Sequence, residues 1–270
     1  MLLTSHKTPW LHVVKNDPFA SLRLFCFSYA GAGANVYRSW SDAPFQNVEI
    51  AAVQLPGREG RMREQPFTAV KPLVAALASE LVPYLGKPFA FFGHSMGALV
   101  SFELARELRR QGKPLPHALF LSGRRAPGAD RSERFMHRMT DEDLVGELRT
   151  MNGTAVGVME HSEMLALLLP IFRADFSVCE NWRHEDESPL PMPIHAFGGH
   201  DDPRVSSADL AAWSRQTDAG HTLDMFEGDH FYVNQSRAQL LARVGTCLRQ
   251  YVNNPLPREH AAPALLSVAK

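Results

Sequence analysis

The stretch PFAFFGHSMGALVSFELAREL, Pro88–Leu108, decides the fold. Its first half, Pro88–Gly93, is a short apolar run of the length and composition of a buried strand. Its second half, continuing to Gln111, carries apolar residues at helical spacing, with Glu103, Arg106, Glu107 and Arg110 grouped on an expected wet side, and Gly112 supplies a stop. Between them lies Gly93-His94-Ser95-Met96-Gly97. A Gly-x-Ser-x-Gly pentapeptide at a strand-to-helix junction places the serine hydroxyl on a strained turn, where flanking side chains would collide with neighbouring backbone. Ser95 is therefore a candidate nucleophile.

The same alternation continues on both sides. Leu22–Tyr29, Val48–Leu55, His117–Gly123, Met192–Gly199 and His221–Gly228 read as strands. Phe67–Leu85, Ser207–Arg215 and Gln235–Tyr251 read as helices. Strand–helix alternation implies a mostly parallel sheet with helices on both faces. From Ala126 to Glu187 no strand pattern occurs, and Thr140-Asp141-Glu142-Asp143 reads as a helix start of the capping-box kind. The expectation is one α/β core, residues 1–125 and 188–252, interrupted by a helical insertion over 126–187, with a flexible tail over 253–270.

A serine hydroxyl needs a base. An elbow of this kind takes its acid and then its histidine from loops after later strands. Asp202 follows Met192–Gly199, and His230 follows His221–Gly228. Asp201 is adjacent and stays open as the acid; Asp202 is preferred because it directly precedes Pro203 at the loop exit. An oxyanion hole needs two backbone N–H groups. Met96, after the serine, supplies one, and Ala30, in the glycine-rich turn Tyr29–Gly33, is the candidate for the other. Gly31-x-Gly33 also brushes the dinucleotide fingerprint, but the third small residue and the acidic ribose partner are missing. His195, His200, Asp201 and Asp202 match no common zinc spacing. The expectation is no metal and no dissociable cofactor.

Composition narrows the classes. The 270 residues carry 28 Lys+Arg against 29 Asp+Glu, a formal net charge of −1, which gives no support for a nucleic-acid partner or a polybasic membrane surface. Three cysteines, Cys26, Cys179 and Cys247, with no Cys-x-x-Cys pair fit a reducing compartment. The first twenty residues lack a signal-peptide pattern, and the apolar run Leu165–Phe172 is far too short to span a bilayer. The expectation is a cytoplasmic protein, monomeric by default.

Six segments together resemble the type II thioesterases, the stand-alone editing hydrolases of nonribosomal peptide and polyketide synthases: FSYAGAGA (Phe27–Ala34), QLPGRE (Gln54–Glu59), FFGHSMGA (Phe91–Ala98), LLPIFRADF (Leu168–Phe176), FGGHDDPRV (Phe197–Val205) and EGDHFYV (Glu227–Val233). They are similar also to the medium-chain thioesterase associated with animal fatty acid synthase. The resemblance implies an α/β-hydrolase fold with Ser95, Asp202 and His230 as the triad and Ala30 and Met96 as oxyanion donors. It implies that the helical insertion is a lid, and that the substrate is an acyl thioester on the phosphopantetheine arm of a carrier protein in antibiotic or siderophore biosynthesis. A carboxylester hydrolase or acyltransferase with the same triad is the alternative. Within the insertion, Met159, Met164 and Leu168 are the expected acyl-chamber residues, against the plainer reading that they only pack the cap onto the core. Arg58 and Glu59 are expected to pair and fix their loop, and Arg173 and Asp175 to anchor the lid.

Overall fold

The computed structural model describes residues 8–128, 135–151 and 161–253. Seven strands form one sheet: β1 (Leu11–Lys15), β2 (Leu22–Phe27), β3 (Val48–Val53), β4 (Phe89–His94), β5 (Leu119–Ser122), β6 (Ile194–Gly199) and β7 (His221–Phe226). Their order is β1-β3-β2-β4-β5-β6-β7. β1 runs antiparallel to β3, and all other pairs are parallel. The described α-helices are α1 (Val70–Leu81), α2 (Met96–Arg110), α3 (Asp141–Thr150), α4 (Ser162–Glu180), α5 (Ser207–Ala211), α6 (Tyr232–Gln235) and α7 (Arg237–Asn253). This is the α/β-hydrolase arrangement expected from the sequence.

The continuous apolar strands are explained by burial on both faces. Phe25 and Phe27 of β2, Phe89 and Phe91 of β4, and Leu119 and Leu121 of β5 pack towards α1 and α2. The alternate residues Leu24, Cys26, Ala90, Phe92 and Phe120 pack towards α7 and the 3-10 turn Ala34–Trp40. The period of two thus divides each strand between two apolar layers. The polar interruptions of β2 and β3 answer each other, because Arg23 and Glu49 lie opposite in register and pair at 2.7 Å with both side chains buried.

Two features depart from the sequence reading. β1 was not anticipated. It is a half-exposed edge strand whose pairing depends on β3, nearly forty residues away. The expected wet side of α2 is also half covered: Glu103 and Arg106 are buried, while Glu107 is partly buried and Arg110 exposed. The segment after α4 lies across them. Trp182 Nε1 donates to Glu103 Oε1 at 3.1 Å, and Arg106 reaches both Glu103 (2.7 Å) and Glu187 (2.9 Å). Arg109 and Arg110 also hold Glu187.

Between β5 and β6 the described residues contain a 3-10 turn and helices α3 and α4, with a small core of their own: Met136, Leu144, Leu148, Leu169, Phe172 and Phe176. Thr140 caps α3 by accepting from the Asp143 amide at 3.1 Å. Arg173 of α4 donates to the carbonyls of His137 (3.2 Å) and Met139 (2.6 Å) and pairs with Asp141, which ties α4 to the start of α3. No helix among the described residues is long and apolar enough to cross a membrane. The tail from residue 254 lies outside the described residues.

Partial burial works to raise the Glu187 carboxyl, but Arg109, Arg106 and Arg110 outweigh it and hold it down to about 2, from 4.5. A depressed carboxylate stabilises the fold above its unfolded pKa, and that contribution is lost as pH falls through the folded value. Glu187→Gln should therefore lower stability by about 1–2 kcal/mol at neutral pH, discounted for partial exposure. Chemical denaturation should show the gap to the parent narrowing between pH 4.5 and 2.

Candidate active site

The parallel strands carry β2, β4, β6 and β7 to one end of the sheet, and the loops leaving those ends hold the site residues. Ser95 sits between β4 and α2 with φ 56° and ψ −111°. That left-handed backbone is costly for a residue with a side chain. Two close approaches hold it. A Cβ at Gly93 would lie 2.1 Å from the Gly97 carbonyl oxygen, and a Cβ at Gly97 would lie 2.0 Å from the Phe27 carbonyl oxygen. The Ser95 amide donates to the Ser122 carbonyl at 2.8 Å, which ties the turn to the end of β5.

His230 and Asp202 come from neighbouring loops that are stitched together. The Asp201 amide donates to the Gly228 carbonyl at 3.0 Å, and the His200 amide to the Phe226 carbonyl at 2.8 Å. His230 Nδ1 donates to Asp202 Oδ2 at 2.6 Å. Asp202 Oδ1 accepts the Arg204 amide at 2.8 Å, and its side chain is fully buried. Asp201 is exposed. An ionised carboxylate only accepts, so the Nδ1 proton is fixed and Nε2 presents a lone pair. Ser95 Oγ lies 3.0 Å from Nε2 and donates to it. The chain Asp202–His230–Ser95 can withdraw a proton from a hydroxyl and stabilise the resulting imidazolium.

The surroundings keep that proton path simple. His94 packs beside His230, with ring centroids 5.1 Å apart. Burial first, and the neighbouring His230 second, push His94 well below the usual imidazole range. It stays neutral beside the His230 ring. Its Nδ1 hydrogen-bonds with Ser122 Oγ at 2.9 Å, and Ser122 Oγ in turn with the Tyr232 hydroxyl at 2.5 Å. Cys179 borders the same cavity, but burial pushes its thiol up to about 11. At neutral pH it is not a competing thiolate.

Ser95 and His230 open into a cavity of about 660 Å³. Ala30 borders it beside Ser95, and Met96 opens α2, where the first amide has no intrahelical acceptor. Leu148, Met151, Phe172 and Phe176 form an apolar wall from the helical block. Met164 and Leu168 are not among the described lining residues: Met164 is 47% exposed, and Leu168 is half-buried against the small core of the block. Met159 lies outside the described residues. The cavity-facing stripe of α4 runs Phe172, Phe176, Cys179, starting two turns after Met164, so Met164 and Leu168 lie off the stripe that borders Ser95. The i, i+4 aromatic pair inside LLPIFRADF was the available signal.

Arg58 corrects a second expectation. It does not pair with Glu59. Arg58 forms a bidentate pair with Asp175 of α4, 2.6 and 2.8 Å, while Glu59 Oε1 accepts the Asn35 amide at 3.2 Å. The glycine-rich turn is occupied by the protein itself. The Gly31 amide donates to Asp175, the Ala34 amide donates to Gln54 Oε1 at 2.9 Å, and a Cβ at Gly33 would lie 2.2 Å from Glu59 Oε1. The amides that a dinucleotide pyrophosphate would require are taken, and a carboxylate stands in its place. His195 is likewise engaged, by Thr222 at 2.8 Å and Tyr251 at 2.9 Å. Among the described residues no three His, Cys, Asp or Glu side chains converge as a metal site.

The thioesterase domain family matches residues 22–248 of this chain. The chain belongs to the thioesterase family. It is 41% identical over 241 residues to the gramicidin S biosynthesis protein GrsT of Aneurinibacillus migulanus, covering 89% of this chain and 94% of that protein. It is 41% identical over 253 residues to a Brevibacillus parabrevis protein named linear gramicidin dehydrogenase LgrE, covering 92% and 96%. Among solved structures it is similar to the type II thioesterase BorB from the borrelidin biosynthetic cluster, with TM-score 0.83, 38% identity and coverage of 91% and 100%. The thioesterase is a thioester hydrolase that spans nearly the full length of each of these proteins.

The two adjacent acids give a direct check on the site. Asp202→Asn should reduce kcat by roughly 10⁴, the scale seen when the histidine tautomer is lost. Asp201→Asn should cost less than about threefold, because that side chain is solvated and does not hold His230. Steady-state hydrolysis of an acyl-pantetheine thioester distinguishes them, and a reversal would make Asp201 the acid.

Proposed function

We propose that this thioesterase removes acyl groups from the phosphopantetheine arms of carrier proteins, and so clears stalled or misprimed sites of a nonribosomal peptide or polyketide synthase. The observation that carries the reading is the hydrogen-bonded chain Asp202–His230–Ser95 at the wall of an apolar-lined cavity. The near-full-length match to GrsT and BorB supports a stand-alone enzyme acting on a synthase in trans.

The mechanism follows from the parts. His230 takes the Ser95 proton as general base, and Asp202 stabilises the imidazolium. Ser95 Oγ attacks the thioester carbonyl. The Ala30 and Met96 amides receive the oxyanion, helped by the positive end of α2. The tetrahedral intermediate collapses by breaking the C–S bond, and His230 gives its proton to the departing pantetheine thiolate. Water, deprotonated by the same histidine, then attacks the acyl-serine; the C–Oγ bond breaks, His230 returns the proton to Ser95 Oγ, and the carboxylic acid leaves. The pantetheine arrives with the substrate, so this sequence of steps calls on no metal or dissociable cofactor. In this reading residues 126–187 form the lid, and its apolar wall receives the acyl chain and excludes water.

Two measurements test the reading together. Ser95→Ala should fold with an unchanged melting temperature and lose on the order of 10⁴–10⁶ in rate. The parent enzyme should turn over acyl-carrier thioesters at a kcat/KM at least tenfold above that for the matching oxygen esters. Retention of a tenth of the activity in Ser95→Ala would remove the nucleophile assignment. Equal rates on esters and thioesters would favour the carboxylester hydrolase alternative.

A further inference from the structure

Three distant parts of the chain meet behind the glycine-rich turn: Arg58 after β3, Asp175 on α4, and Gly31 after β2. Arg58 Nη1 and Nη2 donate to Asp175 Oδ2 (2.6 Å) and Oδ1 (2.8 Å), and the Gly31 amide donates to the same Oδ2 at 2.7 Å. Arg58 Nη1 also donates to the Ala32 carbonyl at 3.2 Å. The two side chains are only 4% and 2% exposed. Phe172, one turn earlier on α4, fills the remaining space: a Cβ at Gly31, where φ is 79°, would lie 2.0 Å from its ring. The turn that carries the Ala30 amide is therefore gripped by a charge and an aromatic ring, both from α4.

We propose that Arg58 and Asp175 are positioning residues, and that they make the oxyanion site conditional on the seating of α4 over the sheet. The Gly31 amide belongs to the Ala30–Gly31 peptide, so fixing its direction fixes the backbone next to the Ala30 donor. Arg58 neutralises Asp175 and holds the following carbonyl, which stops the turn from rotating. When α4 lifts, the Gly31 acceptor and the Phe172 ring leave with it, and the Ala30 amide loses its register with Ser95. Full oxyanion stabilisation is thus available only with the helical block seated and the cavity closed to water. This inference rests on the Ser95–Ala30–Met96 reading above.

The chemistry of the pair separates this role from simple cohesion. Removing one partner leaves an unpaired buried charge, which destabilises the fold whatever the residue does in catalysis. Replacing both by apolar residues removes that penalty, yet leaves the Gly31 amide without its acceptor. The experiment compares the double variant Arg58→Met/Asp175→Leu, the singles Asp175→Asn and Asp175→Ala, and Ser95→Ala. The readouts are melting temperature, kcat and KM on an acyl-pantetheine thioester, and Ki for a trifluoromethyl ketone analogue of that thioester.

The double variant is expected to melt near the parent temperature, with kcat down by roughly 10- to 100-fold, part of what loss of an oxyanion donor costs. KM should stay within about twofold, and the Ki should rise by the same factor as kcat falls. Asp175→Asn keeps an acceptor for the Gly31 amide, and should retain several-fold more kcat than Asp175→Ala at equal occupancy of the folded state. Parental kcat in the folded double variant, or a loss confined to KM, overturns the proposal. If the double variant does not fold, equal kcat in Asp175→Asn and Asp175→Ala overturns it. Activity remaining in Ser95→Ala would instead overturn the underlying reading.

Discussion

The close approach of β2, β4 and the start of α2 is the constraint from which the site is built. Gly97 lets the Phe27 carbonyl come against the first turn of α2, and Gly93 lets the same turn fold back on β4. Ser95 is caught between them at a positive φ, a conformation that costs of order 1–3 kcal/mol and persists only because its neighbours leave no alternative. The strained turn directs the hydroxyl out of the sheet and makes Met96 the first amide of a fifteen-residue helix. It also brings the end of β2, with its glycine-rich turn, alongside. Ser95 and the Ala30 and Met96 amides thus depend on one packing event.

The second layer of organisation is polar and nearly dry. Asp202 is fully buried and spends both carboxylate oxygens, one on His230 and one on the Arg204 amide. His94, Ser122 and Tyr232 form a neutral network beneath His230. In a low-dielectric site an unsatisfied group is expensive, so these pairings fix rotamers as well as charge. Arg58 and Asp175 extend the same logic from the sheet to the helical block, alongside Val178 of α4 in the main core and the Trp182–Glu187 segment clamped to α2.

What the sequence disclosed and what it hid divide along contact distance. The elbow, the strand–helix alternation and the order serine, acid, histidine are local patterns, and each was readable. Periodicity also separated the helical block from the sheet. The pairing of Arg58 with Asp175 spans 117 positions, and Glu59 beside it offered a nearer and false partner. Glu103 and Arg106 pair with each other at i, i+3 like many solvated helix faces, and the covering Trp182 and the second partner Glu187 come some eighty residues later. Met164 and Leu168 lie off the described cavity lining, since helical spacing states which residues share a face, not which turn of that face reaches the cavity. β1 escaped because a half-exposed edge strand lacks the continuous apolar run of its neighbours.

Acyl transfer through Ser95, as proposed, leaves a covalent trace. Rapid mixing of the enzyme with an acyl-carrier thioester, followed by acid quench and peptide mass spectrometry, observes that step directly. The account predicts an acyl adduct on the Ser95 peptide, formed and lost at rates no slower than kcat. An adduct on Cys179, or steady turnover with no adduct on Ser95 at any time, would contradict it.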